Sequence, residues 1–443
     1  MSDLKTLDYA QRLSRLVQAE TVSAPNQSDK AKFYRFHALL QKEFPNIFAA
    51  CEYEDFSGSF LLRWKGRDSS LLPILLMNHH DVVEASGTWT HPPFSGDIAD
   101  GRVWGRGTLD TKCGLFGMLE AADELASEGF LPARDVYFLS DCAEETNGAG
   151  ADEITQALLA RGIRFAMSLD EGGMILEEPM AGAKGLFAMV GVGEKGCADL
   201  KFIARSTGGH ASTPGKDTPL VRLGKFMAAA DSKKVFDVKM SEAVRATLVS
   251  LSRTVKGPLK FVLGHPKLFS PLLCRVMPSM SGAAGAMLKT TLAFTMAEGS
   301  AGANVLPQEA YVIGNMRYSH HQGAQKSIDA ITALAKKFDV ETEVLERGLE
   351  SPLSSHTSAA FALVESAVQA VFPSVRTAPY VMNAASDSRF ISRICDHCLR
   401  FAPFTVSDAQ LESIHGVDEN IDISTLEDAV SFYRYIITEA EHV

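Results

Sequence analysis

Between Ser59 and Gly193 the chain alternates short apolar runs with stretches whose apolar residues recur at helical spacing. That alternation constrains the fold more than any other feature of the sequence. "SFLLRWKG", "PILLMN", "DVYFLSD", "RFAMSLDE" and "GLFAMVGVG" have the length and composition of strands, while "LFGMLEAADELASEGF" and "GADEITQALLARGI" carry the helical pattern, the first ending at Gly129. Strands and helices taken in turn predict an α/β sheet with helices on its faces.

At 443 residues the chain exceeds the size of one compact core, so a second unit is expected. From about Gly193 the texture changes. "ADLKFIARST", "TLAFTMAEGS", "EAYVIGNMRYS" and "VETEVLER" read as strands, with "PLVRLGKFMAAAD" and "KSIDAITALAKKF" as helices, an α+β layer with one sheet face covered. After "GLESPLSS" the α/β pattern returns and ends in the helix "TLEDAVSFYRYIITEAE". The expected organisation is a discontinuous main domain, residues 1–193 and 350–443, with a smaller domain inserted over 194–349. The Pro- and Met-rich residues 235–289 are extra to that plan, and their pattern implies no particular packing. "GVGEKG", Gly191 to Gly196, matches the dinucleotide fingerprint, but "CADLKFIARS" after it alternates as a strand rather than opening a helix. The glycines read as the connection between domains.

Open α/β sheets place their chemistry just beyond the C-terminal ends of the strands. Here "PILLMN" is followed by His79, His80 and Asp81; the "DGRVWGRGTL" loop by Asp110; "VYFLS" by Asp141, Glu144 and Glu145; and "FAMSL" by Asp170 and Glu171. One acidic strand end is commonplace, because Asp and Glu also cap helices. Several converging on one sheet edge repel one another unless a cation holds them, so the joint pattern points to metal. Residues two apart on an extended strand project to the same side. His79 therefore reads as a ligand, Asp81 as the carboxylate that fixes its tautomer, and His80 as structural. Adjacent Glu144 and Glu145 cannot both reach one ion from regular backbone, which suggests one ligand and one free general base.

The segments "HHDVV", "HPPFSGDIADGRVWGRGTLDTKCG", "AEETNGAGA", "LDEGG", "GGHAS", "SDSR" and "IHGVDE" resemble, in order and spacing, the dizinc metallopeptidase family that includes carboxypeptidase S, aminoacylase, carnosinase-like dipeptidases and acetylornithine deacetylase. The resemblance spans nearly the whole chain. It implies a mixed-sheet aminopeptidase-like α/β catalytic domain with an inserted ferredoxin-like lid and dimerisation domain, and two divalent metal ions per chain, zinc first with cobalt or manganese as substitutes. His79 and Glu171 would bind one ion, Glu145 and His415 the other, with Asp110 bridging and Glu144 as general base. Between Asp170 and Glu171, position after Leu169 favours Glu171. The carboxylates of Asp110, Glu145 and Glu171 plus a hydroxide would balance four positive charges, as a buried site requires. Relatives also hold the peptide bond after the bridging aspartate in cis, so Asp110–Thr111 is expected to be cis.

Three further roles come from the resemblance alone. His210 would be a lid imidazole that stabilises the oxyanion, usually in the partner subunit's site, Asn304 another lid residue near substrate, and Arg389 the guanidinium that pairs with a substrate carboxylate. The sequence "MNAASDSRF" departs from the Gly-Gly or Gly-Thr that often leads into this arginine motif, so the substrate end of the pocket is expected to differ. The implied activity is hydrolysis of a peptide or N-acyl amide bond beside a free carboxylate, by a water activated between the metals, with Glu144 as base. The alternatives are an N-acyl-amino-acid deacylase or an inactive binding protein of the same fold.

Composition excludes other classes. Net charge is −11 with no basic block interleaved with aromatics, so no nucleic-acid partner is expected. No apolar run approaches the roughly twenty residues of a membrane span, and the N-terminus lacks a signal-peptide core; a cytoplasmic homodimer acting on small substrates, without a membrane partner, is the expectation. Seven cysteines, an odd number in which Cys395 and Cys398 alone stand at CxxC spacing, read as reduced thiols.

Overall fold

A computed structural model describes residues 2–180, 182–232 and 234–443. Its largest element is a ten-stranded mixed sheet. Along one path the strands are Glu52–Phe56, Ser59–Trp64, Val136–Ser140, Ile74–Met77, Met167–Asp170, Cys398–Arg400, Leu186–Glu194, Ile175–Glu177 and Thr405–Val406, with Arg376–Met382 also paired to Leu186–Glu194. Four central neighbours, Val136–Ser140, Ile74–Met77, Met167–Asp170 and Cys398–Arg400, run parallel. Three of these are the apolar runs predicted to end in acids or imidazoles, and every residue in them is buried. Burial on both faces explains why they read as continuous hydrophobic stretches rather than alternating ones.

The helix Cys113–Ser127 lies against this sheet and packs on the C-terminal helix Leu426–Thr438. Leu115, Phe116, Leu119 and Ala122 meet Phe432, Tyr433 and Ile436 in the main core.

A separate four-stranded antiparallel sheet runs in the order Thr291–Glu298, Glu309–Tyr318, Gly196–Arg205, Glu341–Arg347. It has its own apolar cluster. Ala198, Leu200, Phe202 and Ala204 alternate inward from the central strand to meet the helices Pro219–Ser232 and Gly323–Ala335.

"GVGEKG" passes from the end of Leu186–Glu194 into Gly196–Arg205, strand to strand. Gly196 is required for packing, since a Cβ there would sit 1.9 Å from the Tyr318 ring. The fingerprint therefore serves the crossing between two sheets and opens no helix.

Residues 235–289 form mainly the helices Glu242–Ser252, Pro258–Gly264 and Pro266–Met280. Val244, Leu248, Leu251, Leu263, Leu273 and Met277 pack on Phe187, Met189 and Ala378, which lie in the large sheet. These helices cover one end of the large sheet, while Val235 and Phe236 at the start of the segment pack on the small sheet's cluster. All seven cysteines are free, with Cys113 and Cys142 buried.

Candidate metal centre

The acidic stations converge beyond the C-terminal ends of the parallel strands. His79 lies just past Ile74–Met77; its Nε2 is 3.0 Å from Asp110 Oδ1. The other Asp110 oxygen, Oδ2, stands 3.1 Å from His415 Nε2, which is also 3.1 Å from Glu145 Oε2. Asp110 thus turns one oxygen to each imidazole, the arrangement of a bridging carboxylate. Donor atoms of His79, Asp110 and Glu145 all fall within 4.8 Å of one another.

These dimensions suit divalent ions. Two donors about 2.1 Å from one tetrahedral ion stand roughly 3.4 Å apart, close to the separations found here. The donors are imidazole nitrogen and carboxylate oxygen, a mixture zinc accepts and that cobalt or manganese also tolerates.

Electrostatics describe the same cluster. Burial disfavours the Asp110 carboxylate, but hydrogen bonds from His415 and His79 outweigh it and hold the group well below its usual range. Hydrogen bonds to Asp110 and Glu145 raise the half-exposed His415 to about 10. Burial works against a charged His79, yet Asp110 and Asp81 lift it well above its ordinary value. Burial, and then the charges of Asp110, Asp170 and Glu144, push Glu171 far upward. The cluster carries more negative charge than it can hold bare, and protons on two imidazoles and on its acids offset the excess. Divalent ions would do so directly.

Several neighbours fix this geometry. Asp81 meets the His79 imidazole through its backbone carbonyl at 3.0 Å and through its carboxylate at 3.4 Å. Its two carboxylate oxygens each accept an amide, from Glu144 and Glu145, at 3.1 Å, and Ser23 Oγ donates at 2.6 Å. Asp81 therefore holds the Glu144 and Glu145 backbone in place as well as the imidazole. Asp170 has both oxygens engaged by backbone, Oδ1 by Glu171 N–H and Oδ2 by Ser388 N–H, each at 2.9 Å. Among the described residues no hydrogen bond or ion pair holds the Glu171 carboxylate in the same way, and the donor atoms grouped within 4.8 Å are those of His79, Asp110 and Glu145. His80 is fully buried, bonded to Ser140 Oγ at 2.8 Å and stacked on Phe36.

Glu144 stands apart from the imidazole and carboxylate contacts. Burial raises it to about 8, against the pull of His79 and Arg389. Arg389 Nη1 is 3.7 Å from Glu144 Oε1 and donates to the Ser386 carbonyl at 2.9 Å. His210 and Asn304 lie elsewhere, on an exposed two-stranded ribbon in which Gly209–His210 pairs with Val305–Leu306. They adjoin each other, with Ala211 N–H donating to the Asn304 carbonyl at 3.0 Å, and His210 Nδ1 contacts Ser212 Oγ at 2.7 Å. Among the described residues, no hydrogen bond or ion pair joins either to the metal cluster.

Glu419, the last residue of "IHGVDE", carries no expectation from sequence. It is fully buried, pairs with Arg106 at 2.6 Å, and accepts the amides of Gly107, Leu109 and Asp110 at 3.1, 2.8 and 3.0 Å. The loop that presents Asp110, including the cis Asp110–Thr111 bond, hangs on this carboxylate. Glu419→Ala is expected to lower stability by about 3–5 kcal/mol, because a buried guanidinium and three amides lose their acceptor together. Thermal unfolding of the chelated protein reads this, with Glu419→Gln losing less; an alanine variant as stable as wild type would show that the loop has another anchor.

A model of the peptidase family M20/M25/M40 matches residues 75–439. A probable carboxypeptidase S-like protein of Dictyostelium discoideum is 32% identical over 99% of this chain and 86% of its own length. The human N-fatty-acyl-amino acid synthase/hydrolase PM20D1 is 31% identical over 97% of this chain and 87% of its own. Among solved structures, an M20 family metallo-carboxypeptidase from Sulfolobus solfataricus superimposes with a TM-score of 0.72 at 15% identity, covering 97% of this chain and 98% of that one.

Proposed function

The chain belongs to the peptidase family M20/M25/M40, and from that premise we propose that it is a metal-dependent hydrolase cleaving a peptide or N-acyl amide bond next to a free carboxylate. The observation that carries this reading is the pairing of a largely buried Glu144 with the Arg389 guanidinium 3.7 Å away, at the edge of the His79–Asp110–His415–Glu145 cluster. Carboxypeptidase and N-acyl-amino-acid hydrolase, the activities in the relatives' names, share one product, an amino acid with a free carboxylate. The two therefore ask for the same recognition on the leaving side.

Bound metal would supply Lewis acidity, polarising the scissile carbonyl and lowering the pKa of the attacking water. Glu144 takes the proton of the attacking water and delivers it to the leaving amine nitrogen, so one carboxylate serves as base and then as acid. Arg389, pinned by the Ser386 carbonyl, presents its planar fork to the substrate carboxylate. Asp81 keeps Glu144 and Glu145 in register through their amides. His79, Asp110, Glu145, Glu171 and His415 would hold the metal, with zinc preferred.

Turnover of a panel tests this: free dipeptides, the same dipeptides amidated at the C-terminus, and N-acyl amino acids. Free-carboxylate substrates should be cleaved and amidated ones should not. Arg389→Ala should raise KM for the former by about one to two orders of magnitude, from loss of a charged, bidentate contact. Equal cleavage of amidated substrates would remove Arg389 from carboxylate recognition.

Residues 194–349, apart from the helices of 235–289 that pack on the large sheet, are assigned as a lid and dimerisation domain, which would bring the His210 and Asn304 ribbon to a catalytic cluster. The four-stranded sheet leaves one face uncovered by helices, with Cys197, Asp199, Lys201, Ile313, Asn315 and Arg317 facing outward. If His210 reaches the partner's site to stabilise the oxyanion, mixed Glu144→Ala and His210→Ala subunits should regain activity that neither has alone. Mixed dimers, shown by co-purification of two tags, that stay inactive would confine His210 to its own chain or to no catalytic role.

A further inference from the structure

Residues 243–297 contain seven Lys or Arg and no Asp or Glu, within a chain of net charge −11. They include most of the three helices that cover the end of the large sheet. Their inner faces supply Val244, Leu248, Leu263, Leu273 and Met277 to the core, and their outer faces carry apolar residues as well. Leu268, Leu272, Val276 and Met280 are 69, 50, 42 and 63% exposed. Four-residue spacing puts them along one stripe of the helix Pro266–Met280, turned about 100° around the axis from the buried Leu273 and Met277. Phe261, 56% exposed, extends the stripe by packing on Phe269 with ring centroids 5.7 Å apart.

Arg253, Lys256, Lys260, Lys267 and Arg275 are all exposed, and no carboxylate among the described residues pairs with them. Beside the stripe, Arg253, Lys267 and His265 help to line an open groove of about 900 Å³. The acids of that groove are Glu365 and Glu242, the latter paired with Arg245, so cations remain in excess. An apolar stripe edged by unpaired cations, with a net-positive groove at its side, matches a surface that is apolar inside and anionic at its boundary.

We propose that this face docks on an anionic lipid bilayer, the stripe entering the acyl boundary while the cations and groove take lipid headgroups. A second copy of the chain is a poorer occupant. Pairing this face with itself would set two groups of five unpaired cations against each other. The cations fall three to eight residues apart in sequence, so no basic block announces them, and it is the packing of three helices that gathers them.

Flotation of the full chain with vesicles tests the proposal, comparing pure phosphatidylcholine with phosphatidylcholine mixed with phosphatidylglycerol. Binding to the mixed vesicles is expected, with little to the neutral ones and loss at high salt. The variant Arg253→Glu/Lys267→Glu/Arg275→Glu should lower the partition coefficient at least about a hundredfold while its hydrolytic turnover and melting temperature stay unchanged. Phe261→Trp should show a blue-shifted emission on mixed vesicles, and Leu268→Ser/Leu272→Ser/Met280→Ser in that background should abolish the shift. Failure of the wild type to float with mixed vesicles, or equal flotation with neutral ones, would overturn the proposal. So would a wild-type dimer that the serine substitutions convert to monomer, since the stripe would then belong to a second copy.

Discussion

Glu144→Gln should keep its metal ions and lose about three to four orders of magnitude in turnover. Among the described residues no hydrogen bond or ion pair joins its carboxylate to the imidazoles of the cluster, and its ion-pair partner is Arg389, so loading should be untouched. General acid–base transfer by a placed carboxylate contributes about a hundredfold to ten-thousandfold, and here one group serves both the attacking water and the leaving amine. The loss should fall mainly on kcat. Stability should move the other way. A carboxyl raised by burial from 4.5 to about 8 binds its proton more tightly when folded, so the wild-type protein loses stability as pH rises between those values. Gln has no proton to lose. In chelated protein the variant should therefore melt no lower than wild type at neutral pH, and its relative stability should grow across that window. Elemental analysis, steady-state kinetics and melting curves read the three parts. A variant that turns over within a factor of about ten of wild type would remove Glu144 from proton transfer.

The parts of this site legible from sequence are those where local pattern and sheet topology coincide. His79, Glu144, Glu145 and Glu171 each come after a buried apolar run, and parallel strands carry all their C-terminal ends to one edge. In sequence, only position favours Glu171 over Asp170; the structure adds a reason, since backbone amides occupy both Asp170 oxygens. Asp81 is legible as a neighbour of His79 but not as the acceptor for the Glu144 and Glu145 amides, because that depends on the path taken by the loop after Ser140. Glu419 is hidden for a related reason. Its partners lie more than 300 residues earlier in the chain, and a lone acid in a loop looks like solvated surface. The helices of residues 235–289 have amphipathic faces that sequence can suggest, but which sheet they cover is a tertiary choice. The GxGxxG pattern shows the converse, where glycines placed for close packing, Gly191 against Arg400, Gly193 against Leu353 and Gly196 against Tyr318, mimic a binding motif.

Titration of divalent zinc into chelated protein, followed by calorimetry and by turnover, tests the dinuclear centre most directly. Two ions should bind per chain, activity should appear as the sites fill, and His415→Ala should bind fewer. With His415 held near 10 and His79 and Glu171 well above their ordinary values, loading should displace protons from both imidazoles and from Glu171, so at least about two protons should be released, seen as a dependence of the heat on buffer ionisation. Above pH 10 the share from His415 should fade, because that proton is already gone. Full hydrolytic turnover in protein shown to hold no metal, with zinc neither binding nor altering the rate, would contradict the account.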